Sequence, residues 1–384
     1  MRNFYGKWNE ERWLRSTFIK DYKLNKARPE VTVNAKTYAA SNETPESYYD
    51  KKVIGGKVMA NDRKEAQSHI PQTDPWRQTL DQPFNAGVDF RWFYVDTNKD
   101  KVKTKGAMPM ATDIGVSFNP IEHVNAVWES RFLSDPRATS VWDQAYTKSA
   151  GVRSAYVLAD DFSYNSYAMY GIYRPMFGHY DPDHTTLLSR VTGLGYDASF
   201  KAAGVGFAPG RAFFNLNYLE PFTDRSLAQD RGFVLNGGIH FGVAGAYAMV
   251  SLWDTSVKDW TANTTTRRKM NAVTGGFTKG GLTTIVDITH LVIATPTVRT
   301  DSGTVITLEP RYRLWKENYL KLAWEYVNTG PTLRLGHARE IAGGFSSYIA
   351  SGTEVELMYS EMKATELDIG TTERNVWAQV HLYF

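Results

Sequence analysis

Cysteine is absent from the 384 residues. That excludes a disulfide scaffold, a cysteine nucleophile and covalent c-type haem attachment within this chain, so any haem would have to come from a partner. It also agrees with an exported protein. Long apolar runs are missing too. No stretch approaches the roughly 20 consecutive apolar residues that a membrane-crossing helix needs, and the mean hydropathy is −0.41. Helical membrane spans are therefore excluded. An excess of one charge is lacking: 44 basic residues face 41 acidic ones, for a formal net charge of +3. A nucleic-acid partner would call for a basic footprint, and none is expected here. Local catalytic signatures are lacking as well. The 8 His residues are scattered, and neither a Gly-x-Ser-x-Gly elbow nor a His-Glu-x-x-His helix occurs. No catalytic residue is assigned, and an enzyme is not expected. No repeat of 20–50 residues marks a propeller or solenoid. Met1–Trp8 carries no apolar leader core, so the chain is read as a mature form whose export leader has been removed or replaced.

What the chain does have is aromatic residues and strict alternation. Trp, Tyr and Phe number 11, 22 and 19, which suits interfacial girdles better than a typical soluble core. At the C-terminus, Val376, Ala378, Val380, Leu382 and Phe384 fall on one face of a strand, and Trp377, Gln379, His381 and Tyr383 fall on the other. From Phe84 the same rhythm sets Phe84, Ala86, Val88, Phe90, Trp92 and Tyr94 against Asn85, Gly87, Asp89, Arg91 and Phe93. Ile114, Val116 and Phe118 repeat it. Asn119-Pro120 is then expected to turn the chain toward Ala126, Trp128, Ser130 and Phe132, opposed by Glu129 and Arg131. A further pair is expected to put Val152, Ser154, Tyr156 and Leu158 on one face, to turn at Asp160–Ser163, and to continue through Tyr167, Met169, Gly171 and Tyr173, with Arg153 and Arg174 facing inward. Tyr196, Ala198, Phe200 and Ala202 lead to a turn at Ala208–Arg211, after which Phe214, Leu216 and Tyr218 take the outer face. Phe233 to Phe241 and a return strand with Tyr247, Met249 and Trp253 follow. Segments near 270–278 and 282–293 give poor contrast between faces because Thr and Gly dilute it. The clearest hairpin runs from Ile306 to Leu314 and returns from Leu320 to Tyr326, with an apolar outer face and an ionic inner one.

Charges are tolerable on a strand where they line water, and they cost about 2–4 kcal/mol where Lys or Arg meets the lipid midplane. The expectation is therefore an all-β chain: a closed antiparallel transmembrane β-barrel of about 16 strands, with 14 to 18 accommodated, spanning 84–384. Closure follows because an open sheet of that size leaves backbone groups unsatisfied in lipid. Residues 1–83 lack sustained alternation and form a separate, irregular region, read equally as a periplasmic tail, a plug or a docking arm, with a short amphipathic helix through Trp13 to Tyr22.

Candidate lumen-lining residues are Arg91, Glu129, Arg131, Arg153, Arg174, Glu309, Arg311, Arg313, Lys321 and Glu325. Their mixed signs leave ion preference open, since rings of one sign are what set selectivity. The cluster from Tyr173 to Thr185 contains His179, Asp181, Asp183 and His184. Its prolines favour a loop folded into the lumen over a metal site, and no metal or other cofactor is assigned.

The terminal Val376, Val380, Leu382 and Phe384, together with the amphipathic hairpins, resemble the porin-type bacterial outer-membrane barrels. In that class the terminal pattern marks the strand read during assembly. The resemblance implies an outer-membrane location, with lipid, the barrel-assembly machinery and copies of the same chain as partners. It implies passive movement of ions or small polar solutes. Two alternatives stay open: a barrel sheath around a multihaem cytochrome in an electron conduit, and an outer-membrane enzyme.

Overall fold

The computed structural model describes residues 84–384, apart from 122–123, 133–149, 164–165, 179–185, 195–197, 209–210, 223–228, 242–245, 260–263, 295–300, 316–317, 331–335, 351–352, 367–368 and 384. The region 1–83 and its helix lie outside the described residues.

Alternating side chains build sixteen strands. The first eight are β1 (Phe84–Lys99), β2 (Val102–Ile121), β3 (Val124–Phe132), β4 (Ala150–Phe162), β5 (Ser166–Tyr173), β6 (Phe200–Phe207), β7 (Ala212–Glu220) and β8 (Asp230–His240). The second eight are β9 (Tyr247–Asp259), β10 (Thr264–Lys279), β11 (Leu282–Ala294), β12 (Asp301–Trp315), β13 (Asn318–Thr329), β14 (His337–Ala350), β15 (Thr353–Glu366) and β16 (Ile369–Tyr383). Each strand pairs with its sequence neighbours, and β16 returns to β1, so the sheet closes with no free edge. The closing seam is antiparallel, setting Asp89 opposite Tyr383 and Trp92 opposite Val380.

An even strand count puts both ends of the barrel chain on one rim. That rim also holds the tight turns between β10 and β11, β12 and β13, and β14 and β15, whereas the long connections from β3 to β4 and from β5 to β6 leave their strands at the other rim. Short turns mark the periplasmic side of such barrels and long loops the outer side.

The outer face is an apolar belt. Trp92, Val157, Val205, Val250, Val273, Ile288, Leu322, Ile341 and Leu357 are all exposed on it. In water this surface would be a liability, and in a bilayer it is the solvated face. The parity assigned from sequence to β1, β12, β13, β15 and β16 is the parity observed.

Two local assignments need correction. The β2–β3 turn does not fall at Asn119-Pro120, because β2 runs on to Ile121, which pairs with Val124, and pairing is interrupted between Phe118 and Ile121. Proline cannot donate to the ladder, so Pro120 breaks the pairing without turning the chain. The second correction concerns β4, where Glu129 pairs with Ser154 and Ser130 with Val152, leaving Arg153 as an extra residue in a bulge. One extra residue inverts the side-chain parity beyond it. Val152 is therefore outside, while Tyr156 and Leu158 are buried inside and Val157 faces out. On β5, Tyr167, Met169 and Tyr173 likewise point inward, with Tyr170 outside. The β4 strand also continues to Phe162, so the chain leaves the strand only at the last residue of the turn expected at Asp160–Ser163.

A 16-stranded barrel is wider than its own wall side chains can fill. Here the chain between β5 and β6 supplies the filling, as a short helix, α1 (Leu187–Thr192), packs inside against β12 and β13.

Candidate functional site

The interior has two unlike halves. From Tyr156 of β4 through β11 the inner face carries an apolar and aromatic cluster, in which Tyr156, Tyr167, Met169, Phe200, Trp253, Met270 and Leu291 pack with Phe177 and Leu194 of the inward segment, interleaved with buried Asn215, Asn236, Ser251 and Asp287. The polar tips in this half are paired within the wall. Tyr167 and Tyr173 donate to Asn215 at 2.7 Å and Asn217 at 2.9 Å, and the Trp253 indole donates to Thr255 at 2.9 Å. Such pairing is what allows large amphipathic rings to be buried.

The inward segment is seated at three places. At its start, the Phe177 ring meets Trp253 edge-on at 5.9 Å, and the Gly178 amide donates to Ser251 Oγ at 3.0 Å. Gly178 has φ of 56°, and a Cβ there would sit 3.2 Å from Asp287 Oδ2 and 3.3 Å from Ala272 Cβ, so the close approach to the wall requires glycine. At the middle, Thr186 caps α1, its Oγ1 accepting from the Ser189 amide at 3.2 Å. The Leu187 and Leu188 amides donate to the Glu325 carboxylate of β13 at 2.6 and 3.3 Å, and Thr307 of β12 donates to the same carboxylate at 3.1 Å. Apolar contacts reinforce this seat, because Leu187 and Leu188 cluster with Val305, Val327, Ala338 and Met362. At the end, α1 stops at Gly193 in the left-handed region with φ of 66°. Arg268 of β10 donates to the Thr192 carbonyl at 3.3 Å while pairing with Asp230 and lying over the Trp253 ring at 5.6 Å. The segment thus reaches from the β9–β10 wall to the β12–β13 wall and back.

The other half, β1–β4 and β13–β16, is rich in charge beside a buried apolar patch of Phe93, Val95, Met358 and Trp377. Arg131 forks onto Asp113 with bonds of 2.7 and 2.6 Å. Arg153, in the β4 bulge, bridges Asp113 at 2.9 Å and Glu129 at 2.5 Å. Around the seam, Arg91 lies 3.4 Å from Asp89, and His381 lies 2.8 Å from Asp89 and 3.5 Å from Glu354. Farther round, Lys321 pairs with Glu356 at 2.6 Å. Each of these cations meets an anion, and the buried carboxylates Glu325, Glu340 and Glu373 add to Asp89, Asp113, Glu129, Glu354 and Glu356, so the wall carries dense charge in which acidic groups outnumber Arg91, Arg131, Arg153 and Lys321. Bidentate Arg–carboxylate geometry also fixes these long side chains against the strands.

Of the residues nominated from sequence, Arg91, Glu129, Arg131 and Glu325 are buried on the inner face. Arg153 and Lys321 are mostly buried there. Glu309 and Arg311 are half-buried on the inner parity of β12, Arg313 is exposed near the short-turn rim, and Arg174 enters the lumen just after β5. The fold brings Arg131, Arg153 and Glu129 into one cluster and leaves Glu325 apart, engaged with α1. Sequence reading did not single out Asp113, although its parity with Gly115 and Ser117 places it inward. It also did not single out α1, whose sequence signals are the capping Thr186, the apolar Leu187, Leu188 and Val191, and the stop at Gly193. His179, Asp181, Asp183 and His184 lie outside the described residues. Among the described residues no cluster of metal-ligating side chains occurs. Val376, Val380 and Leu382 keep the outward parity of β16, and Phe384 lies outside the described residues.

No family model and no curated protein matches the sequence. Solved structures do match in shape. The outer membrane channel DcaP of Acinetobacter baumannii superposes with a TM-score of 0.61 at 12% identity, covering 78% of this chain and 97% of that one. An anion-selective porin from Comamonas acidovorans gives 0.59 at 10% identity, covering 78% and 99%. OmpT of Vibrio cholerae in a trimer form gives 0.58 at 15% identity, covering 79% and 100%. The shared feature is the fold, that of a bacterial outer-membrane β-barrel of porin type.

Proposed function

We propose that this porin-type outer-membrane barrel is a passive channel for ions or small polar solutes, whose path runs between the inward segment and the charged wall of β1–β4 and β16. The observation that carries the reading is the division of the lumen: the inward segment is seated along β9–β13, and across from it stands a wall of ion pairs on β1–β4 and β16. A seated segment narrows the bore without closing it off by design, and a wall of paired charges offers polar solutes hydrogen-bonding partners along the way. Arg131, Arg153 and Lys321 each meet a carboxylate, and the further buried carboxylates Glu340, Glu354 and Glu373 lead us to expect a modest cation preference. The barrels it resembles in shape include one described as a channel and one as an anion-selective porin, and a trimer form among them supports self-association of this chain. The same segment favours a pore over a cytochrome sheath, since lumen space that a multihaem protein would need is taken by the chain itself.

Liposome swelling tests this. Vesicles carrying the purified chain alone should swell in isosmotic small sugars at rates that fall with solute size. Absence of swelling by folded protein, together with a stoichiometric multihaem protein copurifying from the source, would replace the channel with the sheath.

A further inference from the structure

The lumen wall of β15, β16 and β1 is buried as deeply as a packed core. Trp377 and Phe93 on its inner face are 6% and 4% exposed, whereas Trp92, next to Phe93 but on the outer face, is 40% exposed. With Val95 and Met358 they make an apolar patch of which the inward segment is no part. That segment is seated on β9–β13. A barrel of this strand number leaves a channel between its walls, so the facing wall does not cover the patch either. Polar groups beside the patch are buried too: Glu373 is 0%, Asn375 2% and Thr97 9% exposed.

These polar groups call for a cation. Glu373 Oε2, Asn375 Oδ1 and Thr97 Oγ1 have no hydrogen-bond partner among the described residues, and Glu373 makes no ion pair there. Its register partner Lys99 stays exposed at the rim. The three oxygens belong to one small area, because Asn375 faces Thr97 across the closing seam and donates to Glu373 Oε1 at 3.1 Å. A buried carboxylate left unpaired is costly, as is a buried acceptor without a donor. What covers this wall must therefore bring positive charge, hydrogen-bond donors and apolar surface together.

One stretch of the sequence has all three. Between Arg12 and Arg28 the basic residues are Arg12, Arg15, Lys20, Lys23, Lys26 and Arg28 and the acidic one is Asp21, interleaved with Trp13, Leu14, Phe18, Ile19 and Tyr22. Residues 29–83 separate it from β1 and outnumber the 16 residues of β1 several times over, so it can reach any depth of the lumen from the short-turn rim where β1 begins. We propose that residues 12–28 dock inside the barrel against β1, β15 and β16, their Lys and Arg side chains on Glu373 and its neighbouring oxygens and their aromatic side chains over Phe93, Val95, Met358 and Trp377. Docked there, the stretch lies along the charged wall and narrows the bore without sealing it. Only that last consequence rests on the channel reading.

The chain has no cysteine, so Ser360→Cys, a near-isosteric change at a wall residue that is 4% exposed, supplies a single reporter beside Asn375. In the whole chain carrying this reporter, a water-soluble maleimide should label slowly. Adding Lys20→Glu, Lys23→Glu and Lys26→Glu should speed labelling roughly tenfold, equivalent to about 1.4 kcal/mol in the docking equilibrium, and should raise single-channel conductance, with heat-modifiable migration showing the barrel intact. Fast labelling of the reporter with the lysines in place would overturn the proposal. Slow labelling that the three substitutions leave unchanged would overturn it as well, by giving the cover to another segment such as the connection 133–149. Electrical silence of every protein, with labelling changing as expected, would sink the channel reading and leave the docking supported.

Discussion

Removing the Glu325 carboxylate should unseat α1 and enlarge the bore. In Glu325→Ala the Leu187 amide loses its acceptor at 2.6 Å and Leu188 a weaker one at 3.3 Å, and Thr307 loses its acceptor at 3.1 Å. A buried donor left without a partner costs about 1–3 kcal/mol. The apolar packing of Leu187 and Leu188 against Val305 and Val327 remains, so the segment should loosen and not leave its place altogether. A net loss of about 2 kcal/mol shifts the balance between seated and released segment by roughly 30-fold. In single-channel recordings Glu325→Ala should therefore show larger and noisier conductance than wild type. Glu325→Gln keeps an acceptor oxygen for Leu187 and should lie between the two. If folded Glu325→Ala has the conductance and noise of wild type, Glu325 does not hold the segment and the reasoning fails.

Arg131→Ala should deprive Asp113 of its forked partner and destabilise the barrel by about 3–5 kcal/mol, the cost of breaking a buried pair; urea titration of the folded protein reads this, and reversal potentials should move toward cation preference. Gly178→Ala should disturb the seat by about 1–2 kcal/mol, since φ of 56° is costly for any residue with a Cβ, and should reproduce the noise of Glu325→Ala; quiet channels would show that the close approach to Asp287 is not needed. Leu322→Arg puts a charge on a side chain that is 49% exposed to lipid and should cost about 2–4 kcal/mol, whereas Ala323→Arg faces the lumen. Folding yield into vesicles separates the two, and equal yields would refute the assigned register.

How far the sequence could be read depended on contrast between the two faces of each strand. In β1, β13 and β16 an apolar face opposes a charged one, so Trp92 against Arg91, or Leu322 against Lys321, settles parity at once. Over β4–β11 the inner face mixes large apolar residues with its polar ones, because it packs against the inward segment, and Trp253 or Met270 inside cannot be told from Val250 or Val273 outside by hydrophobicity. The bulge at Arg153 then inverts β4 with nothing in the local pattern to announce it, since a bulge is defined by its partner strand. Pro120 illustrates a related limit: proline forbids a ladder bond, and whether the strand turns or merely skips a pair is decided by its neighbour. Glu325 was legible as an inward charge, but its engagement with Leu187 spans 138 residues and depends on how the connection after β5 folds back. Such long-range pairings leave no local spacing to read.

The central claim is that the chain by itself forms an open path past α1. Planar bilayers receiving only the purified, heat-modifiable barrel test it most directly. The expected result is stepwise conductance of uniform size in simple salt, with a reversal potential displaced modestly toward cations across a salt gradient because carboxylates outnumber Lys and Arg on the wall. Bilayers that contain folded barrel and remain electrically silent would contradict the claim.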